Sequence, residues 1–213
     1  MQIKTFQGGF DKNFSYLIWC EKTKIASIVD PAVQIHPMVE TINQYNLILD
    51  KILITHTHHD HIFYLDDFKY LFPNIEIICS NITYNEINEF YGVEHKEIIP
   101  IGEELIIALH TPGHFYNSIC YWHKKKNLLF TGDTMFVGRS GRTKDKRSNI
   151  KDLYNSIYNV ILNLPENTMI YPGHHYGYVK AITIKDNIVC SKFFNCKNFE
   201  EFNDVMINFE SKR

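Results

Sequence analysis

The stretch ITHTHHDHI, residues 54–62, holds four histidines and one aspartate within nine positions. The histidines are His56, His58, His59 and His61, and Asp60 lies among them. Charged imidazoles this close together repel one another, so such a cluster is not expected of an ordinary solvated loop. Neutral imidazole is a common metal ligand, and the stretch therefore indicates metal binding.

The cluster follows KILIT, residues 51–55, whose short apolar run predicts a buried strand. Three further predicted strands end in the polar motifs TPGH (111–114), TGD (131–133) and YPGH (171–174). Loops at the carboxyl ends of strands in an open α/β sheet gather round one crevice. We therefore expect seven side chains to converge there: His56, His58, Asp60, His61, His114, Asp133 and His174.

Seven imidazole and carboxylate ligands are enough for two metal ions. The His-x-His and Asp-His pairs of one tight loop can point to opposite sides, one pair for each ion. This donor set without a required thiolate suits zinc, and it also suits iron or manganese. Glycines at 113, 132 and 173 allow close backbone approach beside three of the ligands.

The rest of the chain alternates between strand and helix patterns, which indicates an α/β fold. The strand patterns cover residues 2–7, 15–20, 24–30, 51–55, 75–80, 103–110, 118–123, 127–132 and 168–175. The helix patterns cover residues 34–46, 62–72, 81–92, 148–165 and 199–209. We find no repeat, linker or low-complexity run, so a single domain over residues 1–213 is expected.

The composition is that of an ordinary globular protein, with 213 residues of which 45% are hydrophobic. A net charge of -2 gives no electrostatic footprint for nucleic acid or an anionic membrane, which favours a small-molecule substrate. The five cysteines form no C-x-x-C pair and are expected to be reduced thiols. With neither a signal-peptide pattern nor a membrane-spanning apolar run, we expect a cytoplasmic monomer or homodimer.

The motifs His56-x-His58-x-Asp60-His61, TPGH, FTGDTMF (130–136) and YPGH together resemble the metallo-β-lactamase superfamily. Within it they resemble the glyoxalase II-like, or hydroxyacylglutathione hydrolase-like, metallohydrolases. The resemblance implies an αββα four-layer sandwich, in which two mixed β-sheets are flanked by helices. It assigns His56, His58 and His114 to a first metal and Asp60, His61 and His174 to a second. In the same scheme Asp133 bridges the two ions and Asp30 supports the site.

The details of the resemblance narrow the range of possible substrates. Zinc β-lactamases typically carry a cysteine where Asp133 stands, so antibiotic hydrolysis is not expected. Glyoxalase II enzymes bind glutathione with basic and aromatic residues after the bridging aspartate. The corresponding segment GRSGRTKDKR (138–147) offers Arg139, Arg142 and Lys144 but no aromatic residue. No separate carboxyl-terminal helical domain is expected, because the chain ends soon after His174.

Three residues are candidates for substrate contacts. Arg142 is expected to clamp a substrate carboxylate, and Tyr176 is expected to stabilise an oxyanion through its phenol. His175 is a candidate for lining the pocket. His59 occupies a position that the family motif leaves free, and it is expected either to point outward or to support the ligands from behind.

The sequence therefore predicts a binuclear metal-dependent hydrolase of a thioester or related ester, acting through a metal-bridging hydroxide. Asp60 and Asp133 would be its catalytic residues and two Zn²⁺ ions its cofactors. A mononuclear iron persulfide dioxygenase, with His56, His114 and Asp133 as ligands, and a lactonase of the same superfamily remain alternatives. A metal site that serves only folding stability is a third, although structural zinc sites usually close with four ligands and favour cysteine.

Overall fold

The computed structural model describes residues 1–211 of the chain. The strands of this part are β1 Gln2–Gly8, β2 Asn13–Trp19, β3 Ile25–Val29, β4 Ile48–Leu53, β5 Glu76–Ser80, β6 Tyr91–Val93, β7 Ile98–Ile101, β8 Glu104–His110, β9 Ile119–His123, β10 Leu128–Gly132, β11 Met135–Phe136, β12 Arg139–Ser140, β13 Met169–Pro172 and β14 Ile182–Thr183. The α-helices are α1 Ile35–Gln44, α2 Leu65–Leu71, α3 Ile150–Asn155, α4 Ile184–Cys190 and α5 Phe199–Glu210. Single 3₁₀ turns lie at Lys124–Lys126 and Lys192–Phe194.

The strands form two mixed sheets of six strands each. The first sheet has the order β1-β2-β3-β4-β5-β6; its first three strands are antiparallel, and β3 to β6 are parallel. The second has the order β14-β13-β10-β9-β8-β7 and is antiparallel except for the parallel pair β10–β13. A two-stranded hairpin, β11–β12, follows β10.

Three apolar clusters separate four layers. In β2, Leu17 packs towards the helices on the first sheet, whereas its neighbours Tyr16 and Ile18 pack between the two sheets. This alternation follows from the two-residue period of a strand, and it explains why every residue of β2 is buried. The third cluster joins the second sheet to α3, α4 and α5. The predicted αββα sandwich is thereby confirmed.

The segment 81–92 is not the predicted helix. It runs through turns and ends in β6, whose Gly92 pairs with the end of β5. The Asn, Thr, Tyr and Phe residues that fill this segment have weak intrinsic helix propensity. Tertiary contacts decide its shape instead: Ile87 is buried, and Thr83 accepts a 3.0 Å hydrogen bond from Asn117 Nδ2.

Other elements differ in detail. The predicted helix over 148–165 is α-helical only as far as Asn155 and continues as a π-helical segment, Ser156–Ile161. The strand β7 and the helix α4 were not expected from the pattern. β7 is a four-residue edge strand interrupted by Pro100, a position where proline is tolerated.

No helix within residues 1–211 has both the length and the apolar character to cross a bilayer. In the same part of the chain, α4 and α5 pack on the second sheet. The single domain over residues 1–213 stays a prediction.

Candidate metal centre

Strand ends deliver the candidate ligands to one edge of the sandwich. The histidine cluster follows β4 of the first sheet, and His114 follows β8 of the second. Asp133 comes directly after β10, and His174 comes two residues after β13. Because β10 and β13 are parallel neighbours, these two side chains emerge side by side.

His56, His58 and His114 form what we call the imidazole group. His58 Nδ1 lies 3.0 Å from His56 Nε2 and 3.0 Å from His114 Nε2. The ring of Phe115 packs against His58 with a centroid separation of 4.2 Å. Three ring nitrogens therefore converge on one point beneath an apolar cover.

Asp60, His61 and His174 form the carboxylate group. His61 Nε2 lies 3.1 Å from His174 Nε2, and Asp60 Oδ2 lies 3.3 Å from the same His174 atom. His61 and His174 are buried, and Asp60 is half-buried. In each group the donor atoms lie within 4.8 Å of one another, close enough to hold one ion.

Asp133 lies between the two groups. Its Oδ1 is 3.2 Å from His61 Nε2, while its Oδ2 is 3.4 Å from His174 Nε2 and 3.6 Å from His114 Nε2. The carboxylate is buried, and its Oδ1 accepts no hydrogen bond. Oδ1 therefore has an unmet bonding capacity beside His61, and Oδ2 lies near imidazole nitrogens of both groups; both features are expected of a metal ligand. The residues present thus fit a metal site.

The protonation of the two groups differs. Burial and the neighbouring imidazoles lower the pKa of His58 to about 4, and burial lowers the pKa of His56 and His114 as well. Burial opposes a charge on His174 too, but the negative charge of Asp133 outweighs it and raises the pKa of His174 to about 9. At neutral pH the imidazole group is therefore uncharged, the form that binds metals, whereas the carboxylate group holds protons.

Asp30 orients His61 from behind. Its Oδ2 accepts a 2.8 Å hydrogen bond from His61 Nδ1, and its Oδ1 accepts a 2.7 Å bond from the Thr55 backbone N–H. The bond turns Nε2 of His61 towards the cluster, the usual arrangement behind a metal-binding imidazole. The structure thus places Asp30 in the supporting position that the resemblance implied.

Backbone carbonyls orient two further rings. His174 Nδ1 donates to the carbonyl of Asp11, and His114 Nδ1 donates to that of Arg142, each at 2.8 Å. Both rings consequently direct Nε2 into the cluster.

Gly173 is required by the close approach of the chain to the cluster. A Cβ at this position would lie 2.4 Å from Asp133 Oδ1 and 2.6 Å from His61 Cε1. No side chain larger than hydrogen fits between these ligands.

Asn13 is a site residue that the sequence did not reveal. Its side chain is fully buried, and its Nδ2 donates a 2.8 Å hydrogen bond to Asp60 Oδ2. This bond fixes one carboxylate oxygen of Asp60. Nothing in the spacing of NFSYLIW marks the residue, because its role depends on how β2 sits beside the histidine loop.

A cavity of about 190 Å³ opens on the cluster. Its lining comprises four of the candidate ligands, polar or charged residues from the hairpin and loops, and aromatic rings: Asp11, Asp60, His114, Asp133, Phe136, Arg139, Ser140, Arg142, His174, Tyr176 and Phe209. Of the three predicted substrate contacts, Arg142 and Tyr176 line this cavity. The ring of His175 packs instead against Phe14, with 5.5 Å between the centroids, and it does not belong to the lining.

Tyr176 is held in a polar stack. Its ring lies parallel to that of His174 at 4.8 Å, and the Arg139 guanidinium carbon is 3.9 Å from the Tyr176 centroid. Its hydroxyl donates a 2.5 Å hydrogen bond to Asp11 Oδ2. Burial and this carboxylate raise the pKa of Tyr176, so the phenol keeps its proton.

Comparison with known proteins places this geometry in a family. Residues 8–174 match the metallo-beta-lactamase superfamily. The chain is 36% identical over 205 residues to a probable hydroxyacylglutathione hydrolase, glo2, of Schizosaccharomyces pombe, covering 90% of this chain and 77% of that protein. It is 26% identical over 215 residues to a probable polyketide biosynthesis zinc-dependent hydrolase, BaeB, of Bacillus velezensis, covering 100% and 92%. The crystal structure of ETHE1 from Myxococcus xanthus superposes with a TM-score of 0.89 at 28% identity, covering 98% and 91%.

Proposed function

The chain belongs to the metallo-beta-lactamase superfamily, and within it we propose a binuclear hydrolase that cleaves a thioester or a related ester. Its relatives identify it as a metal-dependent hydrolase. The observation that carries the binuclear proposal is the position of Asp133, whose two oxygens face the imidazole group and the carboxylate group.

The proposed ligand scheme assigns one ion to each group. His56, His58 and His114 would hold the first, Asp60, His61 and His174 would hold the second, and Asp133 would be a ligand to both. Imidazole and carboxylate donors suit zinc, and a zinc-dependent hydrolase is among the relatives. Iron and manganese accept the same donors.

Two bound ions would bring the pKa of a water between them to near neutrality and polarise the carbonyl under attack. The chain's own residues would supply position and charge. Asp60 is fixed by Asn13, and although burial opposes its ionisation, the His174 hydrogen bond lowers its pKa and keeps it a carboxylate. It can therefore accept a hydrogen bond from the attacking water and orient it towards the substrate.

Two residues of the cavity would handle the substrate. The phenol of Tyr176 is protonated and donates its hydrogen bond to Asp11. If the hydroxyl turns away from Asp11, it can donate that bond to the developing oxyanion instead. Arg142 can hold a carboxylate of the substrate with its fork of N–H groups. The cavity is smaller than the roughly 300 Å³ at which drug-sized sites begin, so it would enclose only the reacting end of a substrate.

We further propose that the enzyme works in the cytoplasm, as a monomer or a homodimer. All five cysteines are free thiols, as expected in a reducing compartment.

The test is elemental analysis of protein purified without added metal, alongside hydrolysis of acyl thioesters of glutathione and of N-acetylcysteamine. We expect about two ions per chain and hydrolysis of at least one thioester. One iron per chain, with oxygen consumption on glutathione persulfide and no hydrolysis, would replace the proposal with the dioxygenase.

A further inference from the structure

An aromatic patch at the edge of the site has no part in the scheme above. It consists of Phe10, His59 and Phe63, and we call it the aromatic rim. The rings of Phe10 and Phe63 meet edge to face at 4.6 Å, and His59 lies 5.1 Å from Phe63 and 6.1 Å from Phe10.

The rim is unusual in its exposure. Phe10 is 63% exposed and Phe63 is 40% exposed. Of the 15 phenylalanines, all of which lie in the described part of the chain, only these two are exposed, and they touch each other. Singly exposed apolar residues need no explanation, but a contiguous aromatic pair beside a catalytic cavity is the kind of surface that binds a ligand.

Two residues of the aromatic rim are next in sequence to residues that line the cavity. Phe10 precedes Asp11 and His59 precedes Asp60, and both aspartates line the cavity. A substrate whose reacting carbon lies at the cluster would therefore pass over these rings if one of its arms is longer than the cavity.

The turn between β1 and β2, which carries Phe10, is hydrogen-bonded to residues of the cluster. The Lys12 carbonyl accepts a 2.9 Å hydrogen bond from the His175 N–H, and the Asp11 carbonyl accepts the bond from His174. Asn13 ties the same turn to Asp60. Phe10 is thus presented at a defined place, and a binding surface held in this way loses little conformational entropy when it is occupied.

The acyl part and the thiol part of a thioester would contact different surfaces. Apart from the candidate metal ligands, the charged side chains that line the cavity are Asp11, Arg139 and Arg142, and both arginines come from the stretch 139–142. Those arginines suit an anionic thiol such as one that carries a carboxylate. The aromatic rim offers two phenyl faces and an imidazole, which suit an apolar group.

We propose that the aromatic rim is the acyl subsite, and that the substrates are thioesters with an aromatic or extended aliphatic acyl group. The proposal rests on the proposed function, since it concerns the substrate of that same site.

The test compares hexanoyl and acetyl thioesters of one thiol, N-acetylcysteamine. Wild-type protein is expected to show the higher kcat/KM on the hexanoyl thioester. In the double variant Phe10→Ala, Phe63→Ala the ratio of kcat/KM for hexanoyl over acetyl falls by about tenfold, the range expected for a lost apolar contact surface. The metal content is measured on the same samples, so that a loss of ions is recognised separately.

Tyr70→Ala is the matched control. Tyr70 lies on α2, is 85% exposed, and contacts no other ring in the described part of the chain. Its removal is expected to leave the ratio at the wild-type value. A double variant whose ratio equals that of Tyr70→Ala would overturn the acyl subsite.

A binding measurement keeps the proposal testable without hydrolysis. Dissociation constants of hexanoate and acetate, the two product acids, are measured by ligand-observed NMR on the metal-loaded protein. Preference for hexanoate that the double variant loses would support the subsite even if neither thioester is cleaved, an outcome that would refute only the proposed function. Equal binding of the two acids would overturn the subsite.

The rival occupant of the rim is a second copy of the chain. Sedimentation of the wild type and the double variant tests this. A dimer that the double variant converts to monomer, with an unchanged hexanoyl-to-acetyl ratio, would overturn the acyl subsite in favour of a self-interface.

Discussion

The imidazole group and the carboxylate group meet at Asp133 but hold their protons differently. The same residue type has a pKa of about 4 at His58 and about 9 at His174. His58 is surrounded mainly by other rings, whereas His174 faces Asp60 and Asp133. Environment, and not residue type, sets the charge of an imidazole in this cluster.

The difference has a consequence for metal binding. The imidazole group already has the neutral form that binds an ion, whereas the carboxylate group would have to release protons to bind the proposed second ion. We therefore expect the ion of the carboxylate group to bind more weakly as the pH falls, and the ion of the imidazole group to be the less pH-sensitive of the two.

The largest effect is expected when Asp133, the residue that lies between the two groups, is replaced. Asp133→Ala leaves each group without its common carboxylate, and we expect kcat/KM for thioester hydrolysis to fall about a thousandfold, or about 4 kcal/mol. Metal content should fall with it. Asp152→Ala, at an exposed position on α3, is the control. Unchanged activity with both ions still bound would refute the bridging role.

Removing the ions should expose the protonation difference directly. In chelator-treated protein His174 has a pKa of about 9 against an ordinary value of 6.5, so its stabilising contribution is full below 6.5 and is lost as the pH rises through 9. The loss reaches about 3 kcal/mol. His58 is shifted the other way, so stability should also fall as the pH drops from 6.5 towards 4.

Urea unfolding of the metal-free protein at pH 5, 6.5 and 9 measures both limbs of this profile. His174→Gln should reduce the fall in stability above pH 6.5, to which His61 also contributes, and leave the lower limb in place. A stability that does not change between pH 6.5 and 9 would contradict the assignment of a proton to the carboxylate group.

Gly173→Ala should disturb Asp133 and His61 together. The added Cβ cannot be accommodated without displacing these two side chains, and we expect a loss of about 2 kcal/mol in stability as well as reduced metal content. Gly92→Ala is also crowded, although less so, with 2.8 Å to Asn81 Cα, and it lies away from the cluster. The control should lose stability and keep its ions; equal metal content in the two variants would show that Gly173 has no particular relation to the site.

The smallest loss of activity is expected from a substitution that affects only the carboxylate group. Asn13→Ala removes the hydrogen bond that holds Asp60, worth about 1.5 kcal/mol or roughly tenfold in kcat/KM. Asn159→Ala, an exposed asparagine bonded only within its helix, serves as control. If Asn13→Ala matched this control in both activity and metal content, the orienting role of Asn13 would be wrong.

The strand ends were predictable from sequence because polar motifs directly follow apolar runs. KILIT before the histidines and NLLFTG before Asp133 predicted where ligands leave the sheets, and the structure brings all seven candidates together. The family and the sandwich fold are confirmed. The ligand roles themselves stay predictions.

What the sequence did not reveal depends on contacts between distant segments. Asn13 reaches Asp60 across 47 positions, and no local pattern encodes that pairing. The segment 81–92 was predicted as a helix from its spacing, but its weak helix formers yield to the burial of Ile87 and the pairing of Gly92. His175 was a candidate either for lining the pocket or for packing, and its ring packs on Phe14.

The order of the ligands along the chain also fixes the order in which the site can be completed during translation. His61 and His174 are 113 residues apart, which at ribosomal speeds corresponds to roughly 6 to 23 s of synthesis. His114 emerges well before Asp133 and His174, so the imidazole group is the first to be complete. The histidine loop can therefore complete the proposed binuclear site only after the ribosome has synthesised His174, the last candidate ligand.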